Sequence, residues 1–202
     1  MIDQYCYPVE GLKFDREQLK KDCDKLIEKL GFTKYQLDQA LNSVYRAHTI
    51  NLTHLPGLFG DERFMKFNGN HYYVESAGVK EGDFTEPLSE LHNTYLKEVM
   101  NEIKLYHIDK YGTPFQGRCQ LIMSRPGQTY SFHTDSHTKH RYHVPIKTDK
   151  DFWFFFKTPK GLEPVHMPAD GRAWYLNPVD VEHTVAHLGS VTRMHLLMTS
   201  EL

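Results

Sequence analysis

Three side chains in the second half of the chain have the types and spacing of a metal site. His133-Thr134-Asp135 places an imidazole and a carboxylate two positions apart, and His183 follows fifty residues after His133. In an extended strand, residues two apart point to the same side, so His133 and Asp135 can share one face. A histidine from a later strand completes two imidazoles and one carboxylate on one side of a metal ion. That set suits iron(II) and leaves three coordination positions open. Two of these can take a bidentate keto-acid, and one can take O2. Arg193, ten residues beyond His183, adds a second element. A 2-oxoglutarate chelating through its 1-carboxylate and ketone leaves its 5-carboxylate pointing inward, where a planar guanidinium can grip both oxygens. The apolar neighbours Val191, Met194, Leu196 and Leu197 suit a cation projecting into a cavity.

The segment that must position these groups has the grammar of β structure. Short alternating runs occur at Arg118–Met123, Arg141–Ile146, Phe152–Phe156, Pro164–Met167, Ala173–Leu176, Val181–His187 and Thr192–Thr199. Turn residues separate them, as at Pro126-Gly127, Asp170-Gly171 and Gly189-Ser190. Many short strands without intervening helices predict a sandwich or barrel rather than a parallel sheet. The first third reads as mostly helical. Asp15 is an N-cap candidate for a helix over Arg16–Leu30, and Leu37, Leu41, Val44 and Tyr45 mark another over Tyr35–Ala47. Ile50–Leu55 alternates like a strand, Phe59–Phe84 is irregular with one strand near His71–Val74, and Pro87–His107 predicts a long helix. The expected class is α+β: one domain, 1–202, in which 1–114 is mainly helical support and substrate side and 115–202 is the barrel-like core.

From about Gln120 to Met198 the chain resembles the aspartyl/asparaginyl β-hydroxylase-like branch of the 2-oxoglutarate/iron(II)-dependent oxygenases. That branch includes small microbial proline hydroxylases. The likeness is carried by Pro126-Gly127, His133-Thr134-Asp135, Arg141-Tyr142-His143, the run Gly171-Arg172-Ala173-Trp174-Tyr175, and the distal His183 and Arg193. It implies a double-stranded β-helix (jelly-roll, cupin-like) core buttressed by N-terminal helices. It implies His133, Asp135 and His183 as ligands of catalytic Fe(II), and Arg193 as the main clamp on 2-oxoglutarate. Arg141 and His143 follow as further 2-oxoglutarate contacts. The implied activity is an O2-consuming dioxygenase that hydroxylates an unactivated C–H bond of a free amino acid or of a peptidyl Asp, Asn or Pro residue. 2-Oxoglutarate would leave as succinate and CO2. Vertebrate membrane-bound members lack the carboxylate ligand that Asp135 supplies here, so the small soluble microbial members are the nearer likeness. Two alternatives stand beside it: a cupin-type metalloenzyme that uses no keto-acid, and a catalytically silent barrel that only binds. Cupins usually present three histidines and a glutamate, a pattern that His-x-Asp followed by an arginine does not match.

Eight of the thirteen histidines lie between His133 and His195, which concentrates interest there. His137 and His140 with His143 could make a second metal cluster, although the polar Ser136–His140 connection reads as a solvated loop. His187 and His195 have the parity to reach the cavity or to be satisfied core histidines. Phe152–Phe156, Trp174 and Tyr175 read first as core, Cys119 as a small buried hydrophobe, and Tyr130, Arg172 and Asn177 as candidates for a polar wall. With 24 basic against 26 acidic side chains, the chain has no general attraction for nucleic acid. Its longest apolar run, Phe152–Phe156, is too short to span a membrane. Three widely spaced cysteines make no disulfide framework. The expectation is a cytoplasmic protein acting on a small molecule or peptide, as a monomer or small homo-oligomer.

Overall fold

The computed structural model describes residues 2–30, 48–57, 78–135 and 138–201. The helix expected over Tyr35–Ala47 and the strand near His71–Val74 lie outside them.

Two helices and eleven strands make up the described regular structure, apart from single 3-10 turns. The strands are β1 (Cys6–Lys13), β2 (His48–Asn51), β3 (Thr53–His54), β4 (Glu86–Pro87), β5 (Cys119–Ser124) and β6 (His140–Lys147). They continue with β7 (Phe152–Thr158), β8 (Gly161–Val165), β9 (Arg172–Leu176), β10 (Glu182–His187) and β11 (Arg193–Ser200). The helices are α1 (Arg16–Lys29) and α2 (Tyr95–Tyr111). A six-stranded sheet has the order β1-β9-β6-β11-β5-β2, a three-stranded sheet the order β10-β7-β8, and β3 pairs with β4. Every pairing is antiparallel. The two larger sheets with side chains interleaved between them fit a jelly-roll core.

α1 begins where its cap says it should. The Asp15 carboxylate accepts a hydrogen bond from the Gln18 amide at 3.0 Å, and Leu19, Cys23 and Leu26 are buried. The second helix is shorter than the periodicity predicts. Leu88 and Leu91 are buried as expected but belong to a preceding 3-10 segment, Ser89–Leu91. Asn93 then turns to a φ of 57°, and Thr94 caps a new helix from Tyr95 by accepting from the Lys97 amide at 3.2 Å. The expected strand over Ile50–Leu55 divides at Leu52: β2 pairs with β5, and β3 turns away to β4.

One strand departs from the helical reading of the first third. β1 pairs with β9, bringing Cys6 opposite Leu176 and Tyr7 opposite Tyr175. Its pattern is hidden by Pro8 and by a register shift between Pro8 and Lys13, features tolerated on an edge strand. The N-terminal segment therefore extends the main sheet as well as supporting it. Gly171 makes this docking possible. Its φ is 87°, and a Cβ there would lie 2.1 Å from the Phe14 carbonyl oxygen.

The six-stranded sheet divides the interior into two layers. One face packs Val144, Leu121, Leu196 and Met198 against α1 and α2. The other face meets the three-stranded sheet, where Trp174 and Leu176 join Phe152, Phe154, Phe156 and Val185. The candidate site lies in this second layer.

Candidate metal centre and anion site

His133 and His183 are joined through their backbones. The His133 amide donates to the His183 carbonyl at 3.0 Å, and the His183 amide returns the bond at 2.9 Å. This single bridge fixes the two rings with centroids 4.7 Å apart. Asp135 is anchored separately, its amide donating to the Pro178 carbonyl at 2.9 Å. One ligand atom from each of His133, Asp135 and His183 lies within 4.8 Å of the others. Among the described residues this is the one such group of three. Chain segments fifty residues apart thus converge.

The two imidazoles are already oriented for a metal. His133 Nδ1 is 2.9 Å from the Ser131 carbonyl oxygen, and His183 Nδ1 is 3.1 Å from that of Val181. A carbonyl only accepts, so in the neutral imidazole Nδ1 carries the proton and Nε2 keeps the lone pair. The same arrangement orients metal-bound histidines generally. Burial, followed by the Arg141 charge, holds the His183 imidazole well below its usual pKa, so it stays neutral. The trio runs from rim to interior: the His133 side chain is 43% exposed, Asp135 13%, and His183 is buried.

The carboxylate of Asp135 is divided between two neighbours. Oδ1 lies 3.8 Å from His133 Nε2, while Oδ2 lies 2.6 Å from Arg141 Nη2 in an ion pair without ideal hydrogen-bond angles. Arg141, expected beside a co-substrate, thus meets a metal-ligand candidate.

Arg193 is buried in the same layer at 2% exposure. Its Nη2 donates to His195 Nδ1 at 3.0 Å, and its guanidinium lies 4.3 Å from the Phe152 ring centroid. Its Nε has no hydrogen-bond partner, and none of the ion pairs among the described residues involves it. Burial pushes its pKa down to about 9. A buried cation without a carboxylate is costly, and an anion beside it would offset that cost. His143 stands nearby with neither ring nitrogen hydrogen-bonded, held neutral by burial and then by Arg193 and Arg141. Unpaired nitrogens also remain on His187, His195 and Trp174. Such a concentration of unmet polar groups between two sheets calls for a polar occupant.

Other candidates fall elsewhere. His140 is no loop residue: it opens β6 on the helix-facing side, buried, with Nδ1 2.9 Å from the Tyr175 hydroxyl. It cannot join His143, three residues on and on the opposite face, in a second cluster, and His137 lies outside the described residues. Arg172 pairs with Asp170 at the surface, and Asn177 closes a turn on Asp180. The contributions missed were the seat of Arg193 on Phe152 and the use of His195 as its acceptor. Both were visible in the alternation of Arg193 with Met194 and of Phe152 with Trp153.

No family model and no curated protein matches this chain. Solved structures do. A prolyl-4-hydroxylase from Pseudomonas putida is 10% identical with a TM-score of 0.57, the match covering 100% of this chain and 95% of that one. An oxidoreductase of the 2OG-Fe(II) oxygenase family from Burkholderia pseudomallei is 13% identical with a TM-score of 0.50, covering 97% and 93%. No helix among the described residues is long and apolar enough to cross a membrane. At these identities the likeness is one of fold, and it spans nearly the whole of both chains.

Proposed function

We propose that this chain is an Fe(II)- and 2-oxoglutarate-dependent dioxygenase that hydroxylates a free amino acid or a peptidyl Asp, Asn or Pro residue. Its core would be a double-stranded β-helix of the aspartyl/asparaginyl β-hydroxylase-like branch. The observation that carries the reading is the convergence of His133, Asp135 and His183, with ligand atoms within 4.8 Å of one another, in the same layer as the uncompensated Arg193. The donor set fits Fe(II), and a buried guanidinium without a carboxylate partner fits a carboxylate. The full-length likeness to a prolyl-4-hydroxylase and a 2OG-Fe(II) oxygenase family protein supports the same choice.

When bound, the metal and 2-oxoglutarate would supply the oxidising chemistry, in which O2 is consumed, succinate and CO2 are released, and one oxygen enters the substrate. The chain supplies the geometry. His133 and His183 present Nε2 lone pairs, and Asp135 presents one carboxylate oxygen. Arg193 would hold the 5-carboxylate of 2-oxoglutarate, and His143, neutral and unpaired, would offer a ring nitrogen beside it. Phe152, Phe154 and Phe156 wall the site and exclude water from the oxidising step. The exposed edge of His133 marks the side from which substrate approaches.

A screen of free amino acids and short Asp-, Asn- or Pro-containing peptides for stimulated succinate release tests this reading. The expected result is one candidate that raises release and gains the mass of one oxygen, both lost in His183→Ala. Equal succinate release by the parent and His183→Ala contradicts it.

A further inference from the structure

The two oxygens of the Asp135 carboxylate keep different company, and the division has a use. Oδ1 faces His133 Nε2 at 3.8 Å, and Oδ2 is held by Arg141 Nη2 at 2.6 Å. Both side chains are largely shielded, 14% exposed for Arg141 and 13% for Asp135. Arg141 is held by a rigid element: β6 is flanked on both sides, with Arg141 in register with Thr199 of β11 and Leu176 of β9. Asp135 is held independently through its amide to Pro178. The ion pair therefore joins two separately held backbones and places a positive charge beside one carboxylate oxygen.

We propose that Arg141 is a positioning residue for Asp135: by occupying Oδ2 it turns Oδ1 alone toward a divalent metal held with His133 and His183. The inference deepens the proposed metal reading and rests on it. A carboxylate without this partner can rotate, or use both oxygens on the metal and close a position the co-substrate needs. With Oδ2 occupied, two imidazole nitrogens and one oxygen are the whole protein contribution. The Arg-x-His resemblance puts Arg141 on 2-oxoglutarate; the geometry gives it this other task. The pair acts through its charge at close range, one guanidinium nitrogen against one carboxylate oxygen, so a neutral residue at this position leaves the carboxylate less well oriented.

The test uses Mn(II), which accepts the same nitrogen and oxygen donors, on protein without 2-oxoglutarate. Free Mn(II) is read by electron paramagnetic resonance, and the melting temperature is taken with and without the metal. Arg141→Met is expected to weaken Mn(II) binding about 10- to 100-fold, the usual effect of removing a group that orients a ligand. Arg141→Gln, which keeps one amide donor, should fall between Arg141→Met and the parent, and it carries the test should the Met variant fold poorly. The rise in melting temperature on adding Mn(II) should shrink in both; a purely structural role would lower the metal-free melting point and leave that rise intact. Parent-like Mn(II) binding by the Arg141 variants, with binding lost in Asp135→Ala, overturns the proposal and leaves the metal reading standing. Parent-like binding by both Asp135→Ala and His183→Ala overturns the metal reading itself, and the role of Arg141 with it.

Discussion

On β11, Met194, Leu196 and Met198 face the helices, while Arg193 and His195, interleaved with them, face the three-stranded sheet. β6 repeats the pattern: Tyr142, Val144 and Ile146 face the helices, and Arg141 and His143 face the site. The period of two along a strand thus lets the same backbone serve two purposes. The helix-facing layer is mostly closed apolar packing, with its buried histidines hydrogen-bonded to tyrosines, as His107 is to Tyr142 and His140 to Tyr175. The layer between the sheets holds an uncompensated guanidinium and imidazole nitrogens without partners. One layer stabilises the fold; the other gives up stability to keep polar groups ready.

If that contrast is right, substitutions in the two layers should separate function from stability. The largest effect is expected at Arg193. Arg193→Met should raise the 2-oxoglutarate requirement by about 30-fold or more, since losing one side of a buried charge pair costs roughly 2–5 kcal/mol. It should leave thermal stability equal or raise it, because an unpaired buried cation is replaced by an apolar chain. Steady-state kinetics beside a thermal melt checks both, and a large fall in stability would break the contrast. In the helix-facing layer the signs reverse. Leu196 is fully buried, so Leu196→Ala should cost about 2–5 kcal/mol in denaturant unfolding. The 2-oxoglutarate requirement of the molecules that remain folded should not change.

Acid tests both layers together. Burial pushes His140 down to about 4 and holds His143 and His195 well below the ordinary histidine value. Below about pH 6.5 the unfolded chain takes up protons that the folded chain refuses. Stability should therefore be flat above that pH and fall beneath it, by roughly 1.4 kcal/mol per pH unit for each histidine that stays neutral. Urea unfolding at several pH values measures the slope, and His140→Gln should reduce it by one histidine's share. The smallest effect belongs to the helix start, where Asp15→Ala removes a cap and should cost about 1 kcal/mol by the same unfolding assay.

The legibility of the sequence follows the same division. The strands that carry the site could be read because their alternation is strong and their turns are marked by Gly, Pro and Asp. His133 is no strand residue: it lies between β5 and β6 and meets His183 of β10 through a single isolated bridge, which alternation alone does not announce. β1 was not legible, since Pro8 and the register shift after it break the period that announces a strand. The start of α2 was misplaced because Leu88 and Leu91 sit at helical spacing ahead of a helix they do not join; Asn93 and Thr94 decide the boundary locally. Residue types and spacing single out His133, Asp135 and His183, whose ligand atoms lie within 4.8 Å of one another, and Arg193, which is buried in the same layer. The partner of Arg141 could not be read, because a pairing between a strand residue and a loop carboxylate six positions earlier depends on the path of the chain between them.

The most direct test is an anaerobic titration of Fe(II) into the protein with 2-oxoglutarate present. Chelation of the keto-acid by a ferrous ion on His133, Asp135 and His183 should give a visible charge-transfer band that saturates at one iron per chain. The band should vanish in His183→Ala and require more 2-oxoglutarate in Arg193→Met. A parent protein that shows no such band with both components in excess would contradict the account.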